Sequence, residues 1–250
     1  MKWHDVISIA STIALFLPVI LILALRLFNN KNFVALMIYF ILAVICNLMI
    51  SGVLPVSAHV KRTIGIANNL LDTPLILWFL SFFTTSWRLT KQIKTVILIF
   101  IIFEIVIIAL FGYSIKTITI TTGLGIMLNI IYGTYFFFQQ SRITIMLHKE
   151  TGKAIMTAAL LFAYGCFGFV YLFFYIIKTP NVDDVFLVFY ITSIIWPVLM
   201  SVGIWMERKK IRHPDEDMDR EDSETISLSK NKLNVFYKPS IFDKDKYNFN

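Results

Sequence analysis

Apolar residues in this chain run on rather than alternate with polar ones. Seven stretches, 6–25, 33–54, 64–83, 95–111, 118–138, 154–177 and 185–205, are almost free of charge, and short segments holding basic or turn-forming residues separate them. A helix rises about 1.5 Å per residue and the hydrocarbon core of a bilayer is about 30 Å thick, so about 20 apolar residues cross it. The pattern predicts an all-α polytopic membrane protein, a bundle of seven transmembrane helices. Stretch 95–111 is the shortest and 64–83 the most polar. The first stretch is long, lacks a small-x-small exit and is followed by further spans, so a cleaved signal peptide is not expected.

Composition supports the same class. With 57% hydrophobic residues and a mean hydropathy of +0.72, too little polar surface exists to keep a 250-residue soluble globule dispersed. Basic residues set the orientation, because lysine and arginine concentrate in short loops on the cytoplasmic side. With the amino terminus outside, the inner segments carry 12 basic residues and the outer ones 5. The carboxyl terminus is then cytoplasmic, in a multi-pass protein of the cell's inner (cytoplasmic) membrane. The net charge of +7 comes from residues 1–205, which hold 13 basic and 6 acidic residues. That placement points to anionic membrane lipids as partners and away from nucleic acid. Trp3, Trp87 and Trp205 fall at span ends, where the amphipathic indole favours the headgroup region. Cys46 and Cys166 lie inside spans without metal-ligand spacing, as small apolar fillers.

Two regions follow: a transmembrane domain over 1–206 and a charged tail over 207–250. The tail opens with MERKKIRH, a helical extension with a basic face, and continues as the acidic PDEDMDREDSET, which has no apolar periodicity and is expected to be disordered. Its last residues, NVFYKPSIFDKDKYNFN, regain aromatics and are a candidate docking peptide for a cytoplasmic protein.

The informative chemistry lies within the spans. An ionisable group at the centre of a membrane helix costs about 2.5 to 3.5 kcal/mol on insertion scales, and two carboxyl groups are there: Asp72 in the third span and Glu104 in the fourth. The third span runs inward and the fourth outward, which puts both about 10 to 13 Å below the outer surface. Asn47, Asn68, Tyr171, Tyr190 and Ser193 fall in the same outer half, with Asn69 beside Asn68, and Asn129 lies midway along the fifth span. Gly65, Asn68 and Asp72 share one face of the third helix by i, i+3, i+7 spacing. The inner half is plainer, mostly leucine, isoleucine and phenylalanine. These residues predict a polar ligand pocket in the outer half of the bundle, built from Asp72, Glu104, Asn68, Asn129, Asn47, Tyr171, Tyr190 and Ser193. The competing reading is that the same side chains only tie helices together by hydrogen bonds.

The run Asp72, Thr73, Pro74, Leu75, on the third of seven helices with an external amino terminus, resembles the third helix of microbial rhodopsins. Those proteins attach retinal to a lysine of the last helix, and the seventh span here, VFLVFYITSIIWPVLMSVGIW, has none. The resemblance thus implies a rhodopsin-like bundle with an occupant other than covalently bound retinal. The chain as a whole is also similar to uncharacterised seven-helix proteins of bacterial inner membranes, a likeness that implies no activity.

Other classes fit less well. The inner end of the third span reads FTTSWR and the seventh IIWPVL, neither of which carries the motifs of animal G-protein-coupled receptors. Intramembrane zinc hydrolases need several histidines in their spans, whereas His4, His59, His148 and His213 are expected in loops or the tail. No metal, no cofactor and no catalytic residue is assigned. No serine-hydrolase or phosphate-binding motif occurs, and HKETGK is only half a P-loop. Pro18, Pro74 and Pro197 kink spans one, three and seven without the pairing of an inverted repeat. A receptor-like or accessory protein with a small amphiphilic ligand is the first expectation. A small-solute or proton-coupled transporter is the second, and a metal-independent lipid-modifying enzyme the third.

Overall fold

Each apolar stretch forms one helix in the computed structural model, which describes residues 3–84, 86–147, 151–177 and 182–212. The helices are α1 (Trp3–Ala24), α2 (Lys31–Ile50), α3 (Ala58–Leu80), α4 (Trp87–Phe111), α5 (Ile115–Leu147), α6 (Thr151–Tyr171) and α7 (Val182–Arg212). No strand occurs among the described residues. Six of them, α2 to α7, are long and apolar enough to cross a bilayer, and α1 supplies a shorter apolar run, Ile9–Ala24.

Several helix ends differ from the hydropathy boundaries. The fourth helix starts at Trp87, eight residues before 95, and at 25 residues is not a short one. Its first turns, RLTKQIK, are polar yet good helix formers, so hydropathy alone hides them. For the same reason α5 continues past 138 through QQSRITIML to Leu147. In the other direction α2 stops at Ile50 rather than 54, because Gly52 turns the chain with φ 77°. The helical part of α7 likewise extends beyond 206 to Arg212, and Glu207 is buried. His4 and His59 belong to the first turns of α1 and α3 rather than to loops.

Consecutive helices are antiparallel. Asn47 near the end of α2 donates to Thr12 near the start of α1, Ser81 after α3 donates to Asn32 at the start of α2, and Arg62 in α3 donates to the Tyr113 carbonyl beyond α4. The bundle therefore has a first end, where α1, α3, α5 and α7 begin, and a second end, where they finish. Helix α3 packs against α2, α4 and α5, and α5 packs most extensively against α6. On α7, Trp196 stacks on Phe40 of α2 with centroids 4.8 Å apart, and Gly203 meets Gly152 of α6. A Cβ on Gly203 would stand 2.9 Å from the Gly152 carbonyl oxygen, so the close α6–α7 crossing depends on glycine there.

Outward-facing flanks are apolar, as lipid contact requires. On α4, Leu98, Ile102, Ile105 and Leu110 are 58%, 53%, 61% and 68% exposed. Its buried side is a single stripe, Ile93, Ile97, Phe100 and Glu104, at helical spacing.

The chain divides into two units, Met1–Arg208 with all seven helices and Lys209–Asn250. The described part of the second unit is the helical Lys209 to Arg212. The predicted disordered tail and docking peptide, together with His148 and His213, lie outside the described residues.

Candidate functional site

The polar centre of the bundle is built on the middle of α3. Ser57 caps that helix by accepting from the Val60 amide, and Pro74 interrupts its ladder, leaving the Leu70 carbonyl without its usual amide donor. Thr73 and Pro74 are buried, whereas Asp72 beside them is half-buried and keeps accessible surface. Its carboxyl group points toward α6, where the hydroxyl of Tyr164 lies 3.0 Å from both Oδ1 and Oδ2. Tyr164 is 1% exposed and braced edge-on against Phe167, with centroids 5.8 Å apart. The Tyr39 hydroxyl, from α2, lies close enough to Asp72 and Tyr164 to interact with both. The Tyr39 ring in turn packs edge-on against Trp196 of α7 at 5.6 Å. Three helices, α3, α6 and α2, thus converge on one carboxyl group, and α7 braces the third.

Helix α4 brings the second carboxyl group. Glu104 closes the inward stripe of that helix, is 6% exposed, and lies close enough to Asp72 for the two groups to interact electrostatically. Its Oε1 is buried without a hydrogen-bond partner. Helix α5 completes the wall: a Cβ on Gly125 would overlap the Thr73 hydroxyl and meet the Phe100 ring at 3.4 Å, so glycine there lets three helices close together. One turn along α5 from Gly125, Asn129 is 1% exposed and neither Oδ1 nor Nδ2 has a partner.

Among the described residues of α3 and α4, no basic side chain stands near either carboxyl group. The nearest basic residues on the two carboxyl-bearing helices, Arg62 and Lys94, are ten residues away from Asp72 and Glu104, about 15 Å along each axis. Arg62 is engaged with the Tyr113 carbonyl at 2.9 Å. Two carboxyl groups in a low-dielectric setting without a cation favour a proton or the positive end of a ligand as counter-charge.

The remaining sequence-predicted residues fall into other places. Asn47 belongs to a tie between α1, α2 and α7: its amide donates to Thr12 at 2.9 Å and reaches Ser11 at 3.4 Å, and the Ser11 and Ser193 hydroxyls are 2.8 Å apart. The Ser193 hydroxyl also lies 2.8 Å from the Tyr190 carbonyl, while the Tyr190 ring packs on Phe189. Tyr171 donates to the Thr119 carbonyl at 2.9 Å and fills the space left by Gly123, which ties α6 to α5. Asn68 is half-buried one turn from Asp72 toward the first end. Among the eight predicted residues, Asp72 and Glu104 are near enough to interact electrostatically, Asn129 stands one turn from the helix contact between Gly125, Thr73 and Phe100, and Asn47 and Ser193 are linked elsewhere through Ser11.

Sequence reasoning missed Tyr39 and Tyr164. A signal existed for Tyr164: it stands seven residues from Tyr171 and so shares its helix face, at mid-depth, where a phenol needs a partner. It also missed a polar set near the second end, in the half read as plain. There Gln140 is 1% exposed and donates to the Phe83 carbonyl at 3.1 Å, while its Oε1, the Oε1 of Gln139 and the Oγ1 of Thr144 are buried without partners.

No protein-family model, curated protein or solved structure matches this chain.

Proposed function

We propose that the chain is a receptor-like or accessory membrane protein of the inner membrane, spanning it seven times with its amino terminus outside, and that it binds a small amphiphilic ligand at the Asp72–Glu104 centre. A rhodopsin-like bundle without covalent retinal is the architecture this implies. One observation carries the reading: two carboxyl groups share the interior of the bundle, tyrosines hold one of them, and no basic residue stands near either on its helix. A helix tie needs a donor for each acceptor, and the buried Oε1 of Glu104 has none. A ligand seated there touches α3 and α4 directly and reaches α6 and α2 through the tyrosines, so its binding can shift helices whose far ends lie at the basic cytoplasmic loops. Native mass spectrometry of the full chain in mild detergent tests this. A small molecule that co-purifies with wild type and is lost from Asp72→Asn is the expected result; identical spectra of folded wild type and variant would sink the assignment.

A proton-coupled transporter is the second reading, and the polar set at the second end favours it. Gln139, Gln140 and Thr144 extend buried polar groups toward the side opposite the carboxyl pair. Uptake into proteoliposomes driven by a pH gradient, and lost in Glu104→Gln, would place it first.

A further inference from the structure

We infer that the centre takes an organic cation, a protonated amine carried on a small apolar or aromatic body. This rests on the ligand-binding reading above and names the chemical class of the ligand.

The charge balance comes first. Asp72 and Glu104 interact electrostatically and no described basic residue of α3 or α4 stands near either, so a positive charge beside them allows both to ionise without mutual repulsion. The two groups are not equally available. Both oxygens of Asp72 already accept from the Tyr164 hydroxyl, which fixes that carboxylate as a charge aimed in one direction. Glu104 offers a free acceptor, the buried and unpartnered Oε1. An ammonium group can donate to Glu104 Oε1 while it faces the anchored Asp72.

The surroundings distinguish an organic cation from a metal ion. Calcium takes six to eight oxygen ligands and magnesium an octahedral set, roughly, whereas few carboxylate oxygens here are uncommitted. What lines the centre instead is aromatic: Phe100 lies one turn from Glu104, Phe103 packs on it at 6.2 Å, and the rings of Tyr39 and Tyr164 stand at Asp72. Aromatic faces attract ammonium groups and accept the attached apolar body. A second, independent group points the same way. Asn129 is fully enclosed, has both amide atoms unpartnered, and stands on α5 one turn from the Gly125 contact with Thr73 and Phe100. It provides a neutral donor and acceptor for a polar substituent of a ligand whose charged end is at the carboxyl pair. Asp72 itself keeps accessible surface.

The test uses the full chain in lipid nanodiscs and three probes that share a phenylethyl body: 2-phenylethylammonium, 2-phenylethanol and 3-phenylpropanoate. Binding is measured by equilibrium dialysis on wild type, Glu104→Gln, Asp72→Asn and Ser11→Ala, each shown to be monodisperse and helical. Expected is saturable binding of the amine at least tenfold tighter than the alcohol, with no binding of the carboxylate. Either carboxyl variant should weaken the amine at least tenfold, and Ser11→Ala should leave it unchanged. Glu104→Gln lies on a helix with a lipid-facing flank and keeps the test decisive if Asp72→Asn fails to fold. Equal binding of amine and alcohol overturns the cation class while the ligand site stands. A folded wild type that binds none of the three also overturns it, and a neutral molecule found by native mass spectrometry would then keep the broader reading alive.

Discussion

Tyr164→Phe removes one hydroxyl and leaves the rest of a fully buried ring in place, which isolates the bond that holds Asp72. The hydroxyl lies 3.0 Å from both carboxyl oxygens, and the ring's packing on Phe167 does not involve it. In water-soluble proteins, losing a hydrogen bond to a charged group costs about 1.5 to 3 kcal/mol. Between membrane helices measured values are lower, about 0.6 kcal/mol on average and about 1.7 at most. Tyr39 still reaches the same carboxyl group in the variant, so the upper figure does not apply. The expected loss is about 1 kcal/mol, a factor of about 5 in the folding equilibrium. A double-mutant cycle with Asp72→Ala should return most of it as coupling energy, because each single change removes the same bond. The assay is reversible unfolding of the purified protein in mixed micelles, followed by tryptophan fluorescence, since Trp196 is 1% exposed and stacked on Phe40. A coupling energy indistinguishable from zero, with both single variants folded, would refute the Tyr164–Asp72 bond and with it the anchoring of the carboxylate.

Three further outcomes follow from the packing and the charge pattern. Gly203→Ala puts a Cβ 2.9 Å from the Gly152 carbonyl and 3.1 Å from the Met156 amide, both backbone atoms; the same unfolding assay should show a loss of about 1 to 3 kcal/mol. Asn47→Ala removes donors to Thr12 and Ser11 and should cost about 1 kcal/mol or less while leaving ligand binding intact, as a helix tie would. For orientation, Lys61→Cys in a background without Cys46 and Cys166 should react with an impermeant maleimide on intact cells, and Lys91→Cys only after permeabilisation; the reverse pattern would invert the proposed topology.

Much of the bundle was legible because the bilayer imposes a length, and the apolar runs of α2 to α7 meet it. Boundaries were less so where helix and apolar run part company. The polar turns RLTKQIK of α4 and QQSRITIML of α5 are helical without being apolar, and only backbone hydrogen bonding reveals them. Asp72 and Glu104 stood out because a carboxyl group inside a span is costly. Even the rotation of α4 was readable in part, since Glu104 continues the spacing of Ile93, Ile97 and Phe100. Tyr39 and Tyr164 were harder to see: apolar residues surround each helix on every side, so sequence alone does not say which tyrosine turns inward. Asn47 and Ser193 illustrate the converse. They share the carboxyl pair's half of the chain but bond across α1, and depth alone could not separate one polar cluster from another.

The shared interior of Asp72 and Glu104 is open to direct observation by infrared spectroscopy of the carboxyl stretching bands in the lipid-embedded protein. Each band is assigned by its disappearance in Asp72→Asn or Glu104→Gln. If the two groups occupy one site, removing either changes the frequency of the other, and adding 2-phenylethylammonium to wild type shifts the bands of both together. Bands that respond to neither the partner's removal nor the amine would mean that the two carboxyl groups are separate, and the site would not exist.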